Sequence, residues 1–182
     1  MLICLGGLFG SGRRTLAHKI AHIYGYHYHD VNAHKPRRYI SPDDFTREFT
    51  IQPRTDEMRL SIYRSAIAKL PLISKMYENV ILEDSFHRAE PREYFLATVK
   101  DYFDKVVFVW VTCDENKILG RFQYMKKYGF IRSVEEAMSM REYVRKDFQD
   151  IGPSVLRFHH DVSDDDAAKR LHTLIMASVS SS

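Results

Sequence analysis

Four apolar residues, Leu2–Leu5, run into Gly6-Gly7, and helical spacing sets in soon afterwards, with Leu16, Ile20 and Ile23 on one face. Gly25 follows where a glycine commonly closes a helix. Between strand and helix lies Gly7-Leu8-Phe9-Gly10-Ser11-Gly12-Arg13-Arg14-Thr15. This strand, glycine-rich turn and amphipathic helix form a βα unit. Glycine reaches positive φ without strain and lets backbone N–H groups approach a ligand closely. The helix start adds partial positive charge. The N-terminus therefore reads as a loop that cradles an anion.

The rest of the chain repeats the alternation. Tyr26–Asp30 reads as a second strand, Asn79–Leu82 as a third ending on Glu83-Asp84, and Val155–His159 as the last. Val106–Val111, the most apolar run and rich in Val, reads as a central strand buried on both faces. Helices are expected at Thr15–Tyr24, Asp56–Lys69, Pro91–Asp104, Asp114–Tyr128, Ser133–Phe148 and Ser163–Ala177. Pro91 suits a first turn, Asp114 an N-cap, Ser133-x-x-Glu136 a capping box, and Asp164–Asp166 the positive end of a helix dipole. Val31–Pro53, with Pro36, Pro42 and Pro53, reads mostly as loop around a short helix near Asp43–Phe49. Strands alternating with helices predict an α/β fold, a parallel sheet covered on both faces. A chain of 182 residues suits one domain over 1–182.

Composition narrows the function classes. A net charge of +3 favours tolerance of anionic ligands. The basic residues form no dense run and no nucleic-acid-binding motif, so nucleic acid is not an expected partner. Cys4 and Cys113 lie in or beside apolar runs and read as buried hydrophobes, not a disulfide. No apolar run reaches membrane length, and no basic segment with a cleavage site precedes the first strand. A reducing, cytoplasmic location is the expectation, with Ser178–Ser182 as a frayed tail.

The phosphate-loop motif G-x-x-x-x-G-K-[ST] fits Gly7 and Gly12 and then fails. Arg13 stands in the lysine position and Arg14 in that of the magnesium-binding hydroxyl; Thr15 comes one residue late. Shifting the register to pair Arg14-Thr15 with the motif would put Leu8 and Arg13 on the glycine positions. Arginine keeps the charge and binds phosphate bidentately, but its shape differs from that of lysine.

With that loop in that setting, the chain resembles the nucleoside monophosphate kinase branch of P-loop kinases, a branch with cytidylate-kinase-like and dephospho-CoA-kinase-like members, and the broader zeta-toxin-like group. Phe9-Gly10-Ser11-Gly12-Arg13-Arg14 is similar to a loop of some cytidylate-kinase-like proteins, in which an arginine likewise replaces the hydroxyl. The resemblance implies a five-stranded sheet in the order 2-3-1-4-5, ATP or another NTP with Mg2+ as cofactors, and a small-molecule acceptor. It implies an acceptor-binding region at about 31–78 and an arginine-bearing helical lid at about 120–150.

Carried onto this sequence, it places the nucleotide on Gly7, Leu8, Phe9, Gly10, Ser11, Gly12, Arg13, Arg14 and Thr15. Arg13 would hold phosphates. Asp30 would orient or deprotonate an acceptor hydroxyl, or serve only as a turn residue leaving its strand. Asp84, which alternates with Val80 and Leu82, would approach the metal in preference to Glu83. Arg121 and Arg141 would clamp the transferring phosphoryl group. Arg88 and Arg145, with Arg37 and Arg54, would contact the substrate, unless they are ordinary solvated charges. Binding without phosphoryl transfer is the competing reading, because the motif loses both its Lys and its hydroxyl.

The histidines admit plainer readings. His18 and His22 share a helix face without a third metal ligand in view. His27 and His29 either line the acceptor site or pack. His159-His160 ends a strand close to the expected position of a nucleotide base.

Overall fold

The computed structural model describes residues 1–31, 55–153, 155–161 and 166–180. Five strands, β1 (Leu2–Gly7), β2 (His27–His29), β3 (Val80–Glu83), β4 (Val106–Thr112) and β5 (Leu156–His159), pair in parallel in the order β2-β3-β1-β4-β5. The described helices are α1 (Arg13–Tyr24), α2 (Asp56–Ile67), α3 (Leu70–Met76), α4 (Ala89–Val99), α5 (Ile118–Lys127), α6 (Val134–Lys146) and α7 (Ala167–Ser180). The parallel α/β fold and its strand order are as expected.

Side-chain alternation sorts the sheet into two faces. Leu2, Cys4, Val80 and Leu82 pack with Ile62, Tyr63 and Phe95 of α2 and α4. Ile3, Leu5, Ile81 and Val109 pack with Leu16 and Ile20 of α1 and Leu171 and Ile175 of α7. Each such fully buried side chain contributes about 1.5–3 kcal/mol. A third cluster, Cys113, Ile118, Phe122 and Ala137, ties α5 and α6 to the turn after β1, where Phe9 stacks on Phe122 at 5.2 Å between ring centres. Cys4 and Cys113 are buried and free, as expected.

The middle place belongs to β1, buried along its whole length, and not to β4. Among the described residues β5 pairs β4 from Val109 to Thr112, and Val106–Phe108 stay half-buried. The helix expected over Asp56–Lys69 ends at Ile67, and α3 starts afresh with Pro71 in its first turn. Asp114 makes no side-chain cap; it precedes a 3-10 turn, Glu115–Lys117, and its carboxylate faces Lys117 at 3.4 Å and His159 at 3.2 Å. Ser133 does cap α6, accepting from the Glu136 N–H at 3.0 Å. α7 begins at Ala167 and continues to Ser180, into the serine-rich end expected to fray. The short helix expected near Asp43–Phe49, together with Arg37 and Arg54, lies outside the described residues. Among the described residues no helix is long and apolar enough to cross a membrane.

Candidate functional site

The turn between β1 and α1 is set by its glycines. Gly12 takes φ 87°, and a Cβ there would lie 2.1 Å from Nδ1 of His160. Gly10 takes φ 86°, with a would-be Cβ 2.9 Å from the Phe122 ring. Both positions therefore demand glycine twice over, by conformation and by space.

Five consecutive carbonyls of the turn accept hydrogen bonds from side chains brought in by three other elements and by α1 itself. Arg13 NH1 donates to Gly7 (2.8 Å) and Leu8 (2.9 Å), Arg141 NH1 to Phe9 (2.5 Å), Arg121 NH1 to Gly10 (2.6 Å) and His160 Nδ1 to Ser11 (3.0 Å). The next carbonyl, Gly12, accepts from the Leu16 N–H at 3.0 Å as α1 begins. A turn whose carbonyls are all engaged presents its N–H groups elsewhere. The first N–H groups of a helix have no partner within it, and no described group accepts from those of Gly12, Arg13 or Arg14.

Arg13 occupies the lysine position and is anchored twice. Besides the loop carbonyls it pairs with Glu83, Nε to Oε2 at 2.9 Å, and Glu83 is buried at 2% exposure. Burial holds the Glu83 carboxyl above its ordinary value, and the Arg13 guanidinium opposes that shift. The acid facing the loop is thus Glu83, where alternation suggested Asp84. The alternation itself holds. Asp84 follows Val80 and Leu82 onto the α2 face, beside the buried Tyr63, while Glu83 follows Ile81 onto the face that α1 covers. Arg14, well exposed, sits 3.7 Å from Asp30 at the end of β2.

The expected lid arginines divide. Arg121 and Arg141 reach the loop and donate to its carbonyls, while Arg121 Nε is buried without a partner. Arg121 NH2 also donates to the His160 carbonyl (3.1 Å), and Arg141 pairs with Glu115. Arg145, one turn beyond Arg141 on α6, is exposed and pairs with Glu142, Nε to Oε2 at 2.7 Å. Arg88 is held by two carboxylates, bidentately by Asp56 (2.8 and 3.0 Å) and by Asp147 (2.6 Å). His160 is buried against Gly12, so it offers no ring face to a base, whereas His159 is exposed. Burial pulls the His160 imidazole below its ordinary value. His27 and His29 pack: His27 stacks on Tyr77 at 4.2 Å, and His29 Nε2 donates to the Ala66 carbonyl at 3.2 Å.

Asp84 and Arg88, expected as site residues, flank the turn after β3, but its geometry is not legible in the sequence. Phe86, buried, adopts φ 50°. The Ser85 carbonyl accepts from Gly7 N–H at 3.2 Å, which locks this turn to the phosphate-type loop. The Ser85 hydroxyl accepts from the buried Arg59 (3.4 Å) and bonds His87 Nδ1 (2.9 Å). Burial lowers the His87 imidazole to about 4, so it is neutral at physiological pH. Arg92 donates to the carbonyls of Phe86 and Asp150. A positive-φ phenylalanine between polar residues leaves no sequence signature.

The donor set does not suit Mg2+, which asks for near-octahedral oxygen ligands. Arg14 stands where a hydroxyl oxygen would be, Glu83 is taken by Arg13, and Asp84 lies on the opposite, α2 side of the sheet beside Tyr63. Among the described residues no three His, Cys, Asp or Glu side chains group as a metal site. A cavity of about 60 Å3 lies beside the loop, between Ser11, Cys113 and Arg141. The larger hollow, about 560 Å3, lies between α5 and α6 against Leu119 and Lys126 and touches no loop residue.

No family model matches the sequence, and no curated protein matches it. Solved structures do match its backbone. A sugar kinase from Janibacter sp. HTCC2649 superposes with a TM-score of 0.67 at 17% identity, over 96% of this chain and 93% of that one. A gluconokinase from Sinorhizobium meliloti 1021 gives 0.57 at 18% identity, over 97% and 96%. The APS kinase of Mycobacterium tuberculosis, solved with AMPPNP and APS, gives 0.61 at 16% identity, over 96% of each. The chain has the fold of the P-loop kinases. Identity this low shows the fold alone. In this P-loop kinase fold the turn Gly7–Thr15 is the segment between the first strand and first helix.

Proposed function

We propose that the chain is a nucleotide-dependent phosphotransferase that holds a nucleoside triphosphate by its phosphates on Gly7–Thr15 and acts on a small acceptor. One observation carries this reading. Five loop carbonyls are tied back by Arg13, Arg121, Arg141 and His160, while the N–H groups of Gly12, Arg13 and Arg14 stay unmatched at the start of α1. Such an array suits an anion and nothing apolar. Arg13 keeps NH2 beyond the groups bonded to Glu83 and the loop, and Arg14 is exposed beside it, so two guanidinium groups neutralise phosphate charge where a lysine and a metal would otherwise act. Asp30, 3.7 Å from Arg14, is the acid that this reading assigns to orient an acceptor hydroxyl.

A second reading, triphosphate binding without transfer, is favoured by the Arg13–Glu83 pair and by Arg121 and Arg141 being committed to the loop. A panel of small hydroxyl, carboxyl and phosphate acceptors incubated with ATP, with and without Mg2+, and read for ADP separates the two. Acceptor-stimulated ADP supports transfer. ATP that raises Tm with no acceptor giving turnover leaves binding alone.

A further inference from the structure

His160 directly follows the last strand, far from the glycine motif in sequence, yet its ring would collide with any side chain at Gly12. Its backbone is fixed on both sides: its N–H donates to Thr112 at 2.8 Å and its carbonyl accepts from Arg121 at 3.1 Å. The ring is therefore delivered by rigid backbone onto Gly12, and its Nδ1 lies 3.0 Å from the Ser11 carbonyl. A carbonyl can only accept, so Nδ1 carries the proton. Arg121 bonds both the Gly10 carbonyl and the His160 carbonyl, which ties this end of β5 and the loop into one unit.

We propose that His160 is a positioning residue for phosphate binding: its Nδ1–H fixes the Ser11–Gly12 peptide so that the N–H groups opening α1 face the ligand. The proposal rests on the reading of Gly7–Thr15 as a phosphate cradle. The Ser11 carbonyl precedes the Gly12 N–H in the same planar peptide. Rotating that peptide would swing its carbonyl toward the anion and its N–H away, replacing attraction by repulsion. His160 blocks the rotation by a hydrogen bond on one side and by contact with Gly12 on the other. This role is distinct from base stacking, which would act on the nucleoside and not on its phosphates.

The test compares wild type with His160→Asn, His160→Gln and His160→Ala, using AMPPNP and inorganic tripolyphosphate as separate calorimetric probes without Mg2+. Asn carries an N–H donor as far along the side chain as Nδ1, whereas Gln places its donor one bond further out. Expected is a loss of about tenfold in affinity for both probes in His160→Ala and His160→Gln, the scale of one lost positioned contact, with His160→Asn within about threefold of wild type. Should His160→Ala fail to fold, the Asn and Gln variants carry the comparison. Equal weakening in Asn and Gln, or no weakening in either, overturns the proposal, and so does weakening of AMPPNP alone, which would mark a base contact. Wild type that binds neither probe overturns the phosphate-cradle reading itself, a failure visible before any variant is made.

Discussion

Two turns leave the C-terminal ends of neighbouring strands, and they differ in which backbone groups are left unmatched. After β1, side-chain donors from Arg13, Arg121, Arg141 and His160 go to backbone carbonyls, and the backbone N–H groups are left over. After β3, Arg88 is matched by Asp56 and Asp147, and Arg92 by the Phe86 and Asp150 carbonyls, while Arg59 keeps one unmatched buried N–H. The first turn has surplus positive potential at a helix start and suits an incoming anion. The second is largely matched from within and fastens α2, α4 and the end of α6 around the sheet. The Gly7 N–H to Ser85 carbonyl bond joins them. Each turn uses three arginines, and in each some of them meet carboxylates, Arg13 and Arg141 in the first and Arg88 in the second, so neither the count nor the ion pairs distinguish them; the unmatched N–H groups opening α1 do.

The comparison breaks most visibly at Gly12. Gly12→Ala forces a side chain into φ 87° and onto His160. Triphosphate affinity should fall by about a hundredfold or more, and Tm by on the order of 5 °C, since left-handed strain alone costs about 1–3 kcal/mol. Calorimetry and thermal denaturation measure the two effects.

Arg13→Ala strips the buried Glu83 of its partner and should cost about 3 kcal/mol, read by urea denaturation. Its pH signature follows from burial, which already raises the Glu83 carboxyl against the pull of Arg13. Without Arg13 the folded-state value rises further, so the folded protein prefers Glu83 protonated. Stability is then lost as pH climbs from the ordinary carboxylate range through that raised value. Arg13→Ala should gain stability on acidification from pH 7 toward about 5, more than wild type does.

Arg88→Ala tests the other turn. It should lower stability by about 1 kcal/mol, a figure already reduced for solvent screening of these half-exposed carboxylates, and leave triphosphate affinity unchanged. A large loss of affinity there would mean that the second turn also belongs to the site. Arg145→Ala, at an exposed surface pair on α6, should leave Tm and binding alike unaltered.

Much of the fold was legible because strands and helices alternate and each carries its own period. The glycine loop was legible because glycines with such demands leave a pattern in sequence. What escaped depends on distance and facing. His160 is joined to Ser11 across 149 positions, and nothing local marks it. Glu83 and Asp84 were separable by alternation, but which face meets α1 is decided by sheet order and not by the strand's own residues. Arg121 and Arg141 were legible as arginines near the site; their commitment to loop carbonyls appears only once Phe9 and Phe122 have brought α5 against the loop.

The central claim is that backbone N–H groups at the start of α1, held in place by side chains on the opposing carbonyls, bind phosphate. Calorimetric titration of AMPPNP, in EDTA, into wild type and Gly12→Ala tests it most directly. The account predicts one-to-one binding by wild type with Kd on the order of micromolar and no measurable heat with Gly12→Ala. Silence from wild type, or equal affinity in both proteins, would contradict it.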